Sequence, residues 1–245
     1  EYLIESRLLP VARQMGLADI DALCDYLRTH RGDVLESDIL EAMTINESSF
    51  FRDIKPFESF RQQVLPMLLE KQAGSGRLRI WSAACSTGQE PYSIAMALSE
   101  EAARIAGWNI DLVASDLTHK VLEKARSGIY TQFEVQRGMP IQLLLKYFTQ
   151  LPDSNWQIND DLRARVDFRS QNLMLPYESL GKFDLIFCRN VLIYFDEATR
   201  AQVVRRLVHC LHPHCVLVIG ATESITDPDG RFTPLDSFRG AYRLK

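Results

Sequence analysis

The stretch Ile80-Trp81-Ser82-Ala83-Ala84-Cys85-Ser86-Thr87-Gly88-Gln89-Glu90-Pro91 decides the fold. An apolar run over 78–84 ends in small residues, turns at Gly88 and enters a helix. Pro91 sits near that helix's first turn, where a missing N–H is harmless. The spacing predicts a strand over 78–84 and a helix over 91–106. In an open α/β sheet, ligands gather outside the carboxyl ends of the strands, and small residues let the backbone approach them closely. Only one glycine occupies the turn, so this is not the dinucleotide fingerprint. Taken alone, the segment fits a ligand loop and a tight structural turn equally well.

The same rhythm continues downstream. Strands are expected over 110–115, 166–169, 183–188 and 215–219, with helices over 120–127 and 197–211 and a closing pair of strands over 232–235 and 241–244. The run Phe183-Asp184-Leu185-Ile186-Phe187-Cys188 is nearly continuously apolar, as a strand covered on both faces requires. The alternation predicts an α/β fold, a parallel sheet with helices on both sides. Residues 132–165 break the rhythm, with a helix over 141–148 followed by a polar segment holding Pro152, Trp156 and Ile158. They read as an insertion forming a short antiparallel flap.

Upstream, Tyr2, Leu3, Leu8, Leu9, Val11 and Met15 recur at helical spacing before Gly16, a plausible C-cap. A second helix is expected over 19–29, opened by Asp19 or Asp21 and stopped near Gly32, and a third over 36–43. None has a strand partner, so 1–43 reads as a small helical domain and 44–245 as the domain that carries the sheet. A further helix is expected over 55–71, with Pro66 interrupting or kinking it, before the linker Ala73-Gly74-Ser75-Gly76.

The 245 residues are 46% hydrophobic and 24% charged, ordinary for a globular chain, and carry a formal net charge of −4. That charge argues against a nucleic-acid partner held through its phosphates. No apolar run has the length of a membrane span. The five cysteines form no C-x-x-C pair and are irregularly spaced, which points to reduced thiols in the cytoplasm. His209, His212 and His214 cluster near Cys210 and Cys215 and raise the question of a metal. Their spacing fits no familiar zinc pattern, so they read as residues closing a helix, and no metal is expected.

Four strand ends carry polar groups. Asp116 can accept both hydroxyls of a ribose or cap the next helix. Asn172 can read a base edge. Arg189 and Asn190 follow a buried strand, and such groups need partners. Together they outline a nucleoside-shaped ligand without phosphate-binding glycines.

At this point the sequence resembles a known family. Asn46-Glu47-Ser48-Ser49-Phe50-Phe51-Arg52-Asp53, the stretch Trp81 through Ser93, Ala114-Ser115-Asp116, Lys124-Ala125-Arg126-Ser127-Gly128-Ile129-Tyr130 and Phe187-Cys188-Arg189-Asn190-Val191-Leu192-Ile193-Tyr194-Phe195 look like the chemotaxis receptor methyltransferases, the CheR family. The resemblance spans nearly the whole chain. It implies a Rossmann-like S-adenosylmethionine-dependent methyltransferase with a small helical N-terminal domain and an inserted β flap. The implied activity is protein-glutamate O-methylation of methyl-accepting chemoreceptor helices, leaving glutamyl methyl esters and S-adenosylhomocysteine. Carried over by position, Asn46, Ser48 and Arg52 would face the cofactor, Glu90 would meet its amino group and Asp116 would hold its ribose. Asn172 and Leu173 would flank the adenine, and Cys188, Arg189 and Asn190 would line the cofactor at the fourth strand. Tyr194 would lie near the transferred methyl, with Arg52 and Tyr194 as the catalytic pair that places the accepting carboxylate. Ser48 stands where family members often have Thr, and either supplies a hydroxyl. The family's first N-terminal helix is expected to be missing, which leaves Arg7 and Arg13 on the helix that would contact an acidic helical substrate. The segment 149–165 is shorter than the flap of members that grip a receptor tail peptide and holds no glycine, so no tail tether is expected. The protein is expected to be a monomer. A small-molecule methyltransferase and a non-catalytic S-adenosylmethionine sensor on the same fold are the alternative readings.

Overall fold

The computed structural model describes the chain apart from Glu1, Arg31, Gly32, Ile45 and Ser237. The helix stop expected at Gly32 therefore lies outside the described residues, as does the His214 side chain. Two compact units are present, Glu1–Glu47 with Thr118–Lys120, and Ser48–Leu117 with Val121–Lys245.

The first unit is helical. It holds α1 (Tyr2–Gln14), α2 (Ile20–Thr29) and α3 (Asp33–Met43). Gly16 closes α1 at φ 74, a conformation that costs glycine little. The Asp19 side chain caps α2 by accepting the Ala22 N–H. Val11, Ala12 and Leu23 form the buried centre, against which Leu8, Met15, Tyr26 and Ile39 pack.

The second unit opens with α4 (Lys55–Ser59) and α5 (Leu65–Lys71), separated by one π-helical turn over Phe60–Val64. The interruption expected near Pro66 takes this form. Proline has no N–H for an i→i−4 bond, and the Leu65 N–H reaches back to Phe60 O in a widened turn. Then follow β1 (Arg77–Ala83), α6 (Gln89–Glu100), β2 (Asn109–Asp116), α7 (His119–Ser127), β3 (Ile129–Tyr130), α8 (Gln132–Gln136), α9 (Ile141–Tyr147), β4 (Phe148–Gln150), β5 (Trp156–Ile158), α10 (Asp160–Arg163), β6 (Val166–Ser170), β7 (Phe183–Cys188), α11 (Glu197–His209), β8 (Leu211–Ile219), β9 (Phe232–Pro234) and β10 (Ala241–Leu244).

Seven strands form one sheet in the order β6-β2-β1-β7-β8-β10-β9. The first five are parallel, and β10 runs antiparallel to both β8 and β9. Every residue of β7 is buried, which explains its nearly continuous apolar run, and its one charged residue, Asp184, accepts from Gln72 Nε2 and the Arg79 N–H. Because β1 lies between β2 and β7, the strand order reverses there, and the crevice at the carboxyl ends of β1, β2 and β7 is the natural ligand position. The insertion forms a second, antiparallel sheet in the order β3-β5-β4. A capping box of Thr131 and Glu134 starts α8 beside it.

Several boundaries differ from the sequence reading, among them the start of α3, at Asp33 and not 36. Helix α6 ends at Glu100, and the chain turns instead of continuing to 106. Strand β8 begins at Leu211, with a register shift between Phe183↔Leu211 and Leu185↔Val216. His212 therefore lies on a bulged strand, where Pro213 can be accommodated, and only His209 belongs to the helix end. Among the described residues no group of three or more His, Cys, Asp and Glu is placed to hold a metal ion, and no helix is long and apolar enough to cross a membrane.

Candidate active site

The site is built from backbone in unusual conformations. Of seven described non-glycine residues with positive φ, six lie here: Phe51, Asp53, Ile54, Ala84, Ser86 and Asn190. A β-branched residue such as Ile54 is a genuine outlier at φ 50, and such strain persists only where surrounding structure over-determines it. The determinants are visible. The Phe51 N–H donates to Ser93 Oγ at 2.9 Å, and that hydroxyl donates to Gln89 O at 2.6 Å. The Phe50 ring packs edge-on against Tyr130 and Phe148 of the small sheet. Gly138 lies so close that an added Cβ would fall 2.2 Å from Phe50 O. The segment 50–54 is thus pinned between α6 and the insertion.

At the end of β1, Ala84 and Ser86 turn the chain through left-handed conformations, and Gly88 at φ 94 opens α6. A Cβ on Gly88 would meet Ala125 Cβ at 2.9 Å and the Tyr130 hydroxyl at 3.0 Å, so glycine is required by space as well as by φ. The Ser86 N–H donates to Asp116 Oδ2 at 2.8 Å, joining the ends of β1 and β2. Glu90 accepts the Ser82 hydroxyl at 2.8 Å on one oxygen and the Arg189 guanidinium at 2.9 Å on the other.

Arg189 is the hub. Its side chain is 1% exposed, and its other amino group reaches Asp53 Oδ2 at 2.7 Å and Arg52 O at 3.0 Å. The guanidinium also lies 5.6 Å from the centre of the Phe57 ring. One buried cation therefore ties the 50–54 segment to α6 and to the end of β7.

Two thiols lie beside these charges. Burial pushes the Cys85 thiol well above its usual range, and the Asp116 and Glu90 carboxylates push it further. Burial does the same to Cys188, helped by Glu223 and Glu90. Both thiols stay protonated near neutral pH and are poor nucleophiles.

Two carboxylates, those of Asp53 and Glu90, thus face one buried guanidinium at the strand ends, and a third, that of Asp116, holds the turn after β1. Such a set repels phosphate and favours a ligand with ribose hydroxyls and a positive charge. The donor chemistry fits S-adenosylmethionine, which carries an ammonium, a sulfonium and no phosphate. An open cavity of about 980 Å³ lies at the opposite, amino-terminal end of the sheet. There Arg77 and Arg79 both turn to Asp111, at 2.7 and 3.4 Å.

Residues 46–240 match the family model described as CheR methyltransferase, SAM binding domain. The chain belongs to the CheR methyltransferase family. It is 41% identical to Chemotaxis protein methyltransferase 1 of Pseudomonas aeruginosa over 249 residues, spanning 100% of this chain and 90% of that one. It is 38% identical to Chemotaxis protein methyltransferase Cher2 of Pseudomonas putida, spanning 92% and 82%, and 37% identical to a chemotaxis protein methyltransferase of Vibrio parahaemolyticus, spanning 100% and 89%.

In this CheR methyltransferase the residues expected from the sequence fall in several places. Glu90, Arg189 and the Arg52 backbone meet in one network, and Asp116 joins it through the β1 turn. Cys188 ends β7, and Asn190 follows it at φ 59. Tyr194 closes a short 3-10 turn and is 55% exposed. Asn172 Oδ1 accepts the Met174 N–H in a local turn after β6, and Leu173 is buried beside it. Ser48 opens the second unit, whereas Asn46 belongs to the first, where its amide donates to Thr44 Oγ1 at 3.3 Å. In that first unit Arg7 donates to Met43 O at 2.8 Å at the end of α3, and Arg13 is exposed in the last turn of α1.

Two residues escaped the sequence reading. Asp53 ends the Asn46–Asp53 stretch with no role implied for it, yet it pairs with Arg189. Glu223 accepts backbone N–H groups of Asn190 at 2.7 Å, Gly220 at 2.6 Å and Ile193 at 3.2 Å. The available signal for Glu223 was a carboxylate three residues past Gly220, at the end of a buried parallel strand.

Proposed function

We propose that the protein transfers the methyl group of S-adenosylmethionine to glutamate side chains on the cytoplasmic helices of chemoreceptors. The products are glutamyl methyl esters and S-adenosylhomocysteine. The observation that carries this reading is the Arg189 bridge, which ties Glu90 to the Arg52–Asp53 segment and so supports a cofactor wall and an acceptor-placing segment held together. The chemotaxis names of the relatives support the acceptor class.

The bound cofactor supplies an electrophilic methyl on a sulfonium sulfur. A glutamate acceptor is already ionised near neutral pH, so the chain need supply no general base; with the methyl moved to its oxygen, the sulfur would leave as neutral S-adenosylhomocysteine. The protein's part is alignment and exclusion of water. Asp116 would receive the ribose hydroxyls and Glu90 the ammonium, and Asn172 and Leu173 would flank the adenine. Cys188, Arg189 and Asn190 would line the β7 side, with Ser48 and Arg52 beside them as the family pattern has them. Arg52 and Tyr194 place the accepting carboxylate, with Arg able to grip it bidentately. The exposure of Tyr194 suits a group that meets a macromolecular acceptor. Cys85 and Cys188, held protonated, do not compete for the methyl. Arg7 and Arg13 face the acidic receptor helix. The working protein is a cytoplasmic monomer without a metal, and it acts without a receptor tail tether.

Incubation with radiolabelled cofactor and receptor cytoplasmic fragments tests this. Base-labile label on receptor glutamates is expected. Label on small molecules alone would support the small-molecule reading, and cofactor binding with no transfer would support the sensor. Micromolar binding of a receptor tail peptide in calorimetry would overturn tether independence.

A further inference from the structure

The end of β7 carries three groups the site uses, Arg189, Asn190 and, one short turn later, Tyr194. Arg189 is fixed by its ion pairs. The chain beyond it is fixed by something else. Asn190 is in the left-handed region at φ 59, and the turn Leu192–Tyr194 lies outside the sheet ladder, with Ile193 and Tyr194 48% and 55% exposed. What meets this backbone is a single carboxylate from the neighbouring strand's exit. After β8, the chain turns at Gly220, with the Glu223 N–H donating to Gly220 O at 3.0 Å. The turn folds the Glu223 side chain back over the strand ends. Its Oε2 accepts Asn190 N–H at 2.7 Å and Gly220 N–H at 2.6 Å, and its Oε1 accepts Ile193 N–H at 3.2 Å.

The local sequence is cut to this arrangement. Cys188 pairs with Ile219 in the parallel ladder, so Asn190 and Gly220 leave the sheet side by side. A Cβ on Gly220 would stand 2.6 Å from Glu223 Oε2 and 2.9 Å from Asn190 Nδ2, so only glycine lets the carboxylate in. Bonds from N–H groups to an ionised acceptor are the strong kind, and three converge here.

We infer that Glu223 is a positioning residue for methyl transfer, an inference that rests on the transferase reading above. It touches neither cofactor nor acceptor. Its carboxylate sets the Asn190–Tyr194 backbone and, through it, the Tyr194 hydroxyl that places the accepting carboxylate. Both carboxylate oxygens are in use, so an isosteric amide cannot replace it: whichever way the amide sits, an NH2 group faces a backbone N–H.

The test uses the full chain with Glu223→Gln, Tyr194→Phe and the double variant. Hydrogen exchange at the Ile193 and Asn190 amides is expected to speed at least tenfold in Glu223→Gln, while the amides of β1 and β2 keep their protection. In transfer to receptor fragments, kcat is expected to fall at least tenfold. In the Tyr194→Phe background the same change is expected to cost less than threefold, because the group it positions is already gone. Unchanged amide exchange overturns the inference. So does a Glu223→Gln kcat within twofold of wild type, or a full tenfold loss in the Tyr194→Phe background. A wild-type protein that labels no receptor fragment sinks the transferase reading instead, and amide exchange alone then decides whether Glu223 sets this backbone. If Glu223→Gln fails to fold, Glu223→Asp, which is one methylene short of reaching both strand exits, takes its place with the same expected outcomes.

Discussion

Replacing Arg189 by methionine removes the one cation that joins three pieces of the site while keeping most of the side-chain bulk. Its guanidinium is 1% exposed and its two carboxylate partners are unequal, Glu90 at 13% and Asp53 at 41%. Asp53 can return to water, and its ion pair is worth about 0–1 kcal/mol. Glu90 cannot, and it would keep only the Ser82 hydroxyl. Breaking a buried ion pair by deleting one partner costs roughly 3–5 kcal/mol, so the Glu90 side dominates. In a domain of this size each kcal/mol shifts Tm by about 2–4 °C, which gives an expected fall of roughly 6–20 °C. Thermal unfolding followed by circular dichroism measures it. Adding Glu90→Gln removes the orphaned charge and is expected to restore at least half of the loss. The ligand side of the argument is tested in the same instrument. S-adenosylhomocysteine at about a hundred times its Kd adds about 2.7 kcal/mol to a protein that binds it, and the Arg189→Met variant is expected to lose most of that increment. A single variant whose Tm stays within about 2 °C of wild type, or a double variant no more stable than the single, would refute the claim that Arg189 compensates a buried Glu90.

Other perturbations follow from the same geometry. Arg52→Ala is expected to abolish receptor labelling, and wild-type turnover in that variant would remove its assigned role. Gly138→Ala adds a Cβ 2.2 Å from Phe50 O at a backbone φ of 88, and urea denaturation is expected to show an unfolding free energy lower by at least about 1–3 kcal/mol. Exposed Cys24 is expected to react with iodoacetamide at pH 8 far faster than buried Cys85 and Cys188, and mass spectrometry showing equal modification would contradict the burial that keeps them protonated. Burial also pushes Cys210 up to about 11 and Cys215 up to about 12. The unfolded chain releases these protons near the ordinary thiol value of 9.0, so between pH 9 and 12 the folded state binds more protons and stability is expected to fall as pH rises. A flat stability profile across that window would show that these thiols do not hold their protons.

The sequence was most legible where one physical constraint dominates. The apolar run of β7 is buried at every position because both sheet faces are covered, and the length of that run places the strand to the residue. The turn after β1 was equally plain, since Gly88 is demanded by both φ and space. Boundaries set by competing effects were harder. Leu211 and His212 look like the tail of α11, but pairing with Phe183 draws Leu211 into β8 and the register shift absorbs Pro213. Nothing local to residues 60–64 announces a π turn, because its cause lies in Pro66 further along the chain.

The site itself was readable as a set of residues and unreadable as a set of partners. Phe51, Ile54 and Ala84 are not residue types that mark a left-handed backbone, and their local preference argues against it. The conformation is imposed from outside, by Ser93 on the Phe51 N–H and by Arg189 on the Arg52 carbonyl. That backbone in turn decides the ion pairs. Arg52 and Asp53 are adjacent, and adjacency makes them look like partners. With Asp53 at φ 70, its carboxylate points instead to a guanidinium 136 residues away. The residue that looked like a surface counter-ion is thereby part of the site, and the strain that put it there is the reason no short-range pattern could have found it.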